Sequence, residues 1–190
     1  MKAIIDAMEF KRLVDNTKKF VSKNESNKLM TYIYLQVNAE TKEVKATAVD
    51  GHRISVEYAI GDVWTDESFN CYIKPVIPKI AKNDRFIELE LVDKKAYITV
   101  NDNIMGYKQP ECVYFKTDKM IQDLEAKEPT ASIWVDPRLL KEALDSAIYG
   151  YHQPVKIEIR DKKDPILIKR KSGYKDIKLV LPVNVPESEV

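Results

Sequence analysis

The sequence predicts an α+β protein built from three copies of one β-α-β-β-β unit. Three observations lead there. Stretches of the 190-residue chain repeat one another residue by residue. Apolar and polar residues alternate through most of the chain, the period of half-buried strands. Two segments, near 10–21 and 137–148, switch to the 3.6-residue period of an amphipathic helix.

The first repeat, about 1–60, opens with a strand at Ala3–Ile5. Phe10, Leu13, Val14, Thr17, Phe20 and Val21 then fall on one helical face, and "NESN" ends the helix. "TYIYLQVNAETKEVKATAVDGHRISVEYAI" reads as three strands, turning at "NAETKE" and at Asp50-Gly51. In the second repeat, about 61–116, "GDVWTDESF" is expected as a loop. "CYIKPVIPKIAKND" is expected as a strand and a short helix interrupted by proline. "RFIELELVDKKAYITVND" is a hairpin about Asp93-Lys94-Lys95, and "IMGYKQPECVYF" a last strand and exit. Charged "KTDKMIQDLEAKEPTA" reads as a linker with one helical turn.

The third repeat, 131–186, begins with a strand in "SIWV". A helix follows, with Asp136 as N-cap and Pro137 at its first position. Its apolar face is Leu139, Leu140, Ala143, Leu144, Ala147 and Ile148. "VKIEIRDKKDPILIKR" is a hairpin and "DIKLVLPVNV" the last strand. The repeats align directly. "LELVDKKAYITV" (89–100) lies on "IEIRDKKDPILI" (157–168), and "IIDAMEFKRLV" and "YIKPVIPKIAK" both lie on "WVDPRLLKEAL". One helix shields only part of one sheet face, so the repeats should pair. The expected organisation is a domain of two repeats at 1–116, a linker at 117–130, a half domain at 131–186 and a tail at 187–190.

Composition narrows the function. Lys+Arg 31 against Asp+Glu 30 gives a net charge of +1, without the strong basic excess of a dedicated nucleic-acid binder. No signal peptide and no apolar run of membrane-spanning length is present, so a cytoplasmic protein is expected. Cys71 and Cys112 form no C-x-x-C and read as reduced, partly buried thiols. No zinc site and no cofactor are expected. Phosphate-binding glycine loops, nucleophile elbows and zincin motifs are missing, which argues against the common enzyme classes. Asp50, His52 and Arg53 cluster in "TAVDGHRISV", but no nucleophile or second histidine accompanies them. His152 lies apart, in a polar loop expected to be exposed. From these residues alone the stretch is either a tight turn with a solvated strand start or part of a binding site.

The strand, "FKRLVDNTKKF" and strands ending in "AVDGHRISV" resemble the middle domain of the bacterial DNA polymerase III beta subunit, the sliding clamp. "CYIKPVIPKIAK" and "YKQPECVYF" resemble that domain's continuation, with Cys112 and Phe115 where the family has glycine and proline. "WVDPRLLKEALDSA" through "DIKLVLPVNV" resembles the second half of the last domain, with Leu181-Pro182 at the terminal signature. The resemblance implies a DNA-clamp fold and a non-enzymatic processivity factor. It implies a hydrophobic pocket that takes linear motifs of polymerases and the clamp loader. Its walls would be Val49, His52, Arg53 and Ile54, and Leu179, Val180, Leu181, Pro182 and Val183, with Phe115 and Pro165 at the rim. It also implies contact with duplex DNA, without sequence readout, through Lys11, Arg12, Lys18, Lys19 and Lys23 on the first helix and Lys74, Lys79 and Lys82 on the second. A full clamp chain has six such repeats and this one three, so the third repeat is expected either to pack on another copy, as a homo-oligomer, or to fold back on the first domain; four chains would restore the twelve repeats of a full ring. The alternative is a peptide-binding module that forms no ring and competes for clamp partners.

Overall fold

The computed structural model describes residues 1–59, 63–148, 154–170 and 177–185. Gly61-Asp62 of the expected loop, His152 and the 187–190 tail lie outside the described residues. The chain divides into two compact units, Met1–Lys119 and Met120–Val190.

In the N-terminal unit, β1 (Lys2–Asp6) runs directly into α1 (Ala7–Thr17). Asp6 makes that switch, its carboxylate accepting the Glu9 N–H at 2.8 Å as an N-cap. The apolar spacing is realised as read: Phe10, Leu13, Val14 and Thr17 are buried, and Lys18–Phe20 tightens into a 3₁₀ turn. β2 (Ile33–Asn38), β3 (Glu43–Val49) and β4 (Ile54–Ala59) follow as expected. Val63–Thr65, expected as loop, is a short strand, β5, paired antiparallel with β1.

β6 (Phe69–Ile73) is followed by no helix. Pro75 and Pro78 each remove a donor and push Lys74 and Ile77 away from the helical region. The segment instead stays irregular and plugs the core with Ile77 and Ile80, while Tyr107 Oη donates to the Val76 carbonyl at 2.7 Å. The expected second helix is therefore absent, and with it the helical setting of Lys74, Lys79 and Lys82. β7 (Phe86–Val92) and β8 (Lys95–Val100) form the predicted hairpin. Asp93 and Lys94 both take positive φ, 46° and 59°, and Val92 pairs with Lys95 across them, as a two-residue I′ turn requires. β9 (Asn103–Lys108) completes the strands of this unit.

All pairings are antiparallel, in two sheets ordered β4-β3-β2-β6 and β5-β1-β7-β8-β9. The first repeat lends β1 to β7, and the second lends β6 to β2. One core is shared by α1 and the inward faces of both sheets, including Ile5, Ile33, Leu35, Ile73, Leu89 and Ile98. The exchange fixes the two repeats as one body.

α2 (Thr117–Glu125) occupies the stretch read as linker, so a nine-residue helix replaces one turn. In the C-terminal unit, α3 (Pro137–Asp145) starts as predicted. Asp136 accepts the Arg138 N–H at 2.7 Å, and Pro137 stands at the first turn. β10 (Val155–Glu158), β11 (Ile166–Arg170) and β12 (Ile177–Val180) form one antiparallel sheet in that order. Three expectations change here. Residues 131–136 form no strand, although Asp136 itself is extended. The last strand stops at Val180, because Pro182 has no N–H for a ladder. The third-repeat hairpin pairs Glu158 with Leu167, so a long connection containing Pro165 replaces the tight turn of its counterpart. The described residues thus form three sheets and three α-helices in an α+β fold. The β-α-β-β-β pattern is complete only in the first repeat.

Among the described residues no helix is long and apolar enough to cross a membrane, and no cluster of three His, Cys, Asp or Glu could hold a metal ion. Cys71 is fully buried rather than partly so, and burial pushes its thiol up to about 12; Cys112 is exposed.

Candidate functional site

The Asp50–Arg53 turn is tied together by one carboxylate. Asp50 Oδ1 accepts the backbone N–H groups of His52 at 3.0 Å and Arg53 at 2.9 Å. Its Oδ2 accepts Arg53 Nε at 3.0 Å and Nη2 at 2.6 Å. Gly51 takes φ +90°, which a side chain resists, and so lets the turn close. The Arg53 side chain first, and then the backbone N–H groups of His52 and Arg53, hold the Asp50 carboxyl below its ordinary range. Arg53 Nη2 also reaches the Lys19 carbonyl at 3.0 Å, and the guanidinium lies 4.9 Å from the Phe20 ring centroid. Arg53 is thereby engaged with its own turn and the end of the first helical segment. The His52 ring is exposed and makes no hydrogen bond among the described residues.

Beside this turn lies a second apolar cluster, on the sheet face turned away from the main core. Val49, Tyr72 and Tyr114 are buried there, packed by Leu29, Tyr32, Tyr34, Ile54 and Phe115. Val49, Ile54 and Phe115, three residues singled out from the sequence, come together in it. The aromatic rings that build the cluster were not singled out. Tyr34 stacks on Tyr114 at 4.8 Å, and Tyr72 meets Tyr34 at 5.0 Å and Tyr114 edge-on at 5.9 Å. Part of their signal was present: Tyr34 sits on β2 with Tyr32 two residues before it, and "CYI" places Tyr72 on β6 opposite Tyr34. Tyr72 Oη donates to the Cys112 carbonyl at 3.0 Å, which fastens the exit segment over the sheet.

In the C-terminal unit Leu179, Leu181 and Val183 are 63%, 67% and 44% exposed and recur at every second residue. Val180 faces the other way, into the small core with Ile166 and Ile168. Pro165 and Pro182 are half-buried. The Val183 N–H donates to the Trp134 carbonyl at 2.8 Å, which sets Trp134, 55% exposed, beside the row.

The basic residues divide. Lys11 and Lys18 both pair with Asp15, whose carboxyl they hold below its ordinary range. Arg12 is shared between Glu9 at 2.9 Å and Glu57 at 3.0 Å. Lys19 and Lys23 are exposed and form no ion pair among the described residues. Off the missing second helix, Lys79 and Lys82 are exposed, while Lys74 packs its ammonium 3.8 Å from the Tyr32 ring centroid.

Comparison of the whole fold with solved structures finds bacterial clamps. The DNA polymerase sliding clamp of Bacillus subtilis superposes with a TM-score of 0.64 at 15% identity, over 98% of this chain and 65% of that one. The clamp of Caulobacter crescentus gives 0.70 at 16%, over 98% of this chain and 51% of that one. The Pseudomonas aeruginosa clamp gives 0.62 at 11%, over 97% and 67%. The fold is that of the bacterial sliding clamps. This chain spans half to two-thirds of the length of the clamps it matches. No protein-family model matches the sequence, and no curated protein sequence matches it. With identities this low, the clamp likeness is one of fold, and the side chains of the Asp50–Arg53 turn and the aromatic cluster must speak for function.

Proposed function

We propose that this chain is a sliding-clamp-like processivity factor of DNA replication that takes the linear motifs of polymerases and clamp loaders on apolar surface. One observation carries the reading. On a clamp fold, the rigid Asp50–Arg53 turn stands against the cluster of Val49, Ile54 and Phe115. A preformed apolar patch beside an unengaged donor suits a short extended guest, because little ordering is required on binding. His52 supplies that donor. The exposed row of Leu179, Leu181 and Val183 is the second surface assigned to motif binding. Each isoleucine- or leucine-sized side chain buried against such surfaces contributes about 1.5–3 kcal/mol. Sliding clamps are non-enzymatic, and no catalytic role is assigned to His52.

A second reading, a motif-binding module without a ring or a grip on DNA, is favoured by two observations. The cations Lys11, Arg12 and Lys18 are ion-paired, and the helix that would present Lys79 and Lys82 is absent. Titration of a labelled clamp-binding peptide tests motif binding, with Leu181→Asp and Ile54→Asp as controls. Affinity unchanged in both variants refutes the surfaces named here. Stimulation of processive synthesis on primed circular DNA separates the readings: peptide binding without stimulation leaves the module.

A further inference from the structure

The N-terminal unit shows how two repeats of this chain complete each other. The opening strand of one lies along the second strand of the other: β1 on β7, and β6 on β2. The C-terminal unit holds one repeat. Its β10, the counterpart of β7, pairs only with β11, and its outer edge is bare among the described residues.

The burial of equivalent positions differs accordingly. Asp6 and Asp136 are both N-caps, so Ala3 corresponds to Ile133, Ile4 to Trp134 and Ile5 to Val135. The alignment of 89–100 with 157–168 matches Leu89 to Ile157 and Ile87 to Val155. Leu89 is 0% exposed, whereas Ile157 is 48% exposed. On α1, Phe10, Leu13 and Val14 are buried, whereas α3 has no buried residue at all. The opening segment makes one contact of the kind β1 makes. The Trp134 carbonyl takes the Val183 N–H, just as Ile4 pairs with Trp64 of β5. β1 has a second partner, β7, and residues 132–135 have no counterpart to it among the described residues.

We propose that the C-terminal units of two chains pair about a two-fold axis, each laying residues 132–135 along β10 of the other, to make one complete two-repeat domain. The register follows from β1 and β7. Ala3 opposite Leu89 predicts Ile133 opposite Ile157 of the second chain, and Ile5 opposite Ile87 predicts Val135 opposite Val155. Ile4 opposite Glu88 predicts Trp134 opposite Lys156, an aromatic face with a cation. Every apolar residue then meets an apolar one on the inner face, and a one-residue slip would break all of these matches. An isologous contact of this kind closes at two chains. It also removes a bare strand edge, which proteins otherwise protect. The pairing stands on the fold and not on motif binding, which is measured separately by peptide titration.

The test uses the full chain with Cys112→Ser, carrying Ile133→Cys and Ile157→Cys, and a short bismaleimide. A covalent dimer is expected on a denaturing gel, and none when Ile133→Cys is combined with Lys178→Cys on the far strand. Sedimentation of the unmodified chain should show a concentration-dependent dimer. In Ile157→Asp its association should weaken at least about tenfold, because a charge enters an apolar contact. A monomer at every concentration, or cross-linking confined within single chains, overturns the pairing.

Discussion

Asp50 is the residue on which the Asp50–Arg53 turn depends, and two substitutions separate its two jobs. Asp50→Asn keeps an oxygen for the His52 and Arg53 backbone N–H groups but loses the charge that holds the guanidinium. Asp50→Ala loses both. The guanidinium is 56% exposed, so the ion pair contributes no more than about 1 kcal/mol. Each backbone bond to the carboxylate contributes about 1 kcal/mol or somewhat more. The expected losses are therefore about 1 kcal/mol for Asp50→Asn and about 3 kcal/mol for Asp50→Ala. Urea unfolding followed by circular dichroism reads the difference as a shift of midpoint at constant slope. The pH dependence has a fixed sign. Hydrogen bonds from Arg53 lower the folded-state pKa of Asp50, so its contribution is complete above the ordinary carboxylate range and disappears as pH falls through the lowered value. The gap between the native chain and Asp50→Asn should close in acid. Equal losses for the two variants, or a gap that persists at low pH, would refute the division of labour.

Gly51→Ala should cost about 1 kcal/mol, since φ +90° is strained for alanine although the nearest side-chain atom is 3.9 Å from its Cβ; Gly51→Asn should recover part of it, and no loss by urea unfolding would mean that the turn relaxes freely. The C-terminal unit should loosen in acid before its core is touched. Asp136, held to about 2 by Arg138, and Glu158, held to about 2 by Lys156, Arg160 and Lys169, both contribute above the ordinary carboxylate range and lose their contribution as pH falls toward 2; amide exchange at α3 and β10 between pH 4 and 2 would reveal it, and unchanged protection would count against it. If DNA is held by Lys19 and Lys23 alone, log affinity should fall against log salt with a slope of about −1.8, from two phosphates. A much steeper slope would mean that the paired cations also reach phosphate.

The strongest local signals in the sequence were the ones the structure kept. Asp6 and Asp136 stand before helical periods and cap them. Asp93-Lys94 sits between alternating strands and turns them. These are short-range effects, decided by a few neighbouring residues. What was not legible depends on distant partners. Val63–Thr65 is too short to announce itself, and is a strand because β1 offers it an edge. The "PVIPKI" segment was read as a helix through its likeness to the other repeats, but two prolines outweigh that likeness once Ile77 and Ile80 can fill the core without one. At the candidate site, Val49, Ile54 and Phe115 could be named from sequence because "AVDGHRISV" and "YKQPECVYF" resemble segments of the clamp family. The tyrosines around them could not, since outward-facing aromatics on a strand signal packing only when something covers that face. The charge on α1 misled for a similar reason. Lys11, Arg12, Lys18, Lys19 and Lys23 look like a basic surface only if Glu9, on the same helix and paired with Arg12, is overlooked; Glu57 also reaches Arg12 from β4, and Asp15 serves two lysines.

Lys74 tests whether a basic residue on a clamp fold must be a DNA contact. Its ammonium donates to Thr31 Oγ1 at 2.5 Å, lies 3.8 Å from the Tyr32 ring centroid, and is half-buried. Desolvation, more than any neighbouring charge, lowers its pKa. A cation in that position has given up part of its hydration to an aromatic ring. Reaching phosphate would mean leaving a contact that contributes about 0.5–2 kcal/mol. Lys74→Met keeps the length of the stem and its packing but removes the charge. It should leave DNA affinity within about twofold, since the expected contact number does not change, and should destabilise the N-terminal unit. Lys19→Glu with Lys23→Glu should do the reverse, abolishing salt-sensitive binding at little cost to stability, as both lysines are exposed and form no ion pair among the described residues. A Lys74→Met variant that loses DNA affinity as severely as the double variant would show that Tyr32 presents the cation outward, and that the aromatic cluster serves the nucleic-acid surface as well as the apolar one.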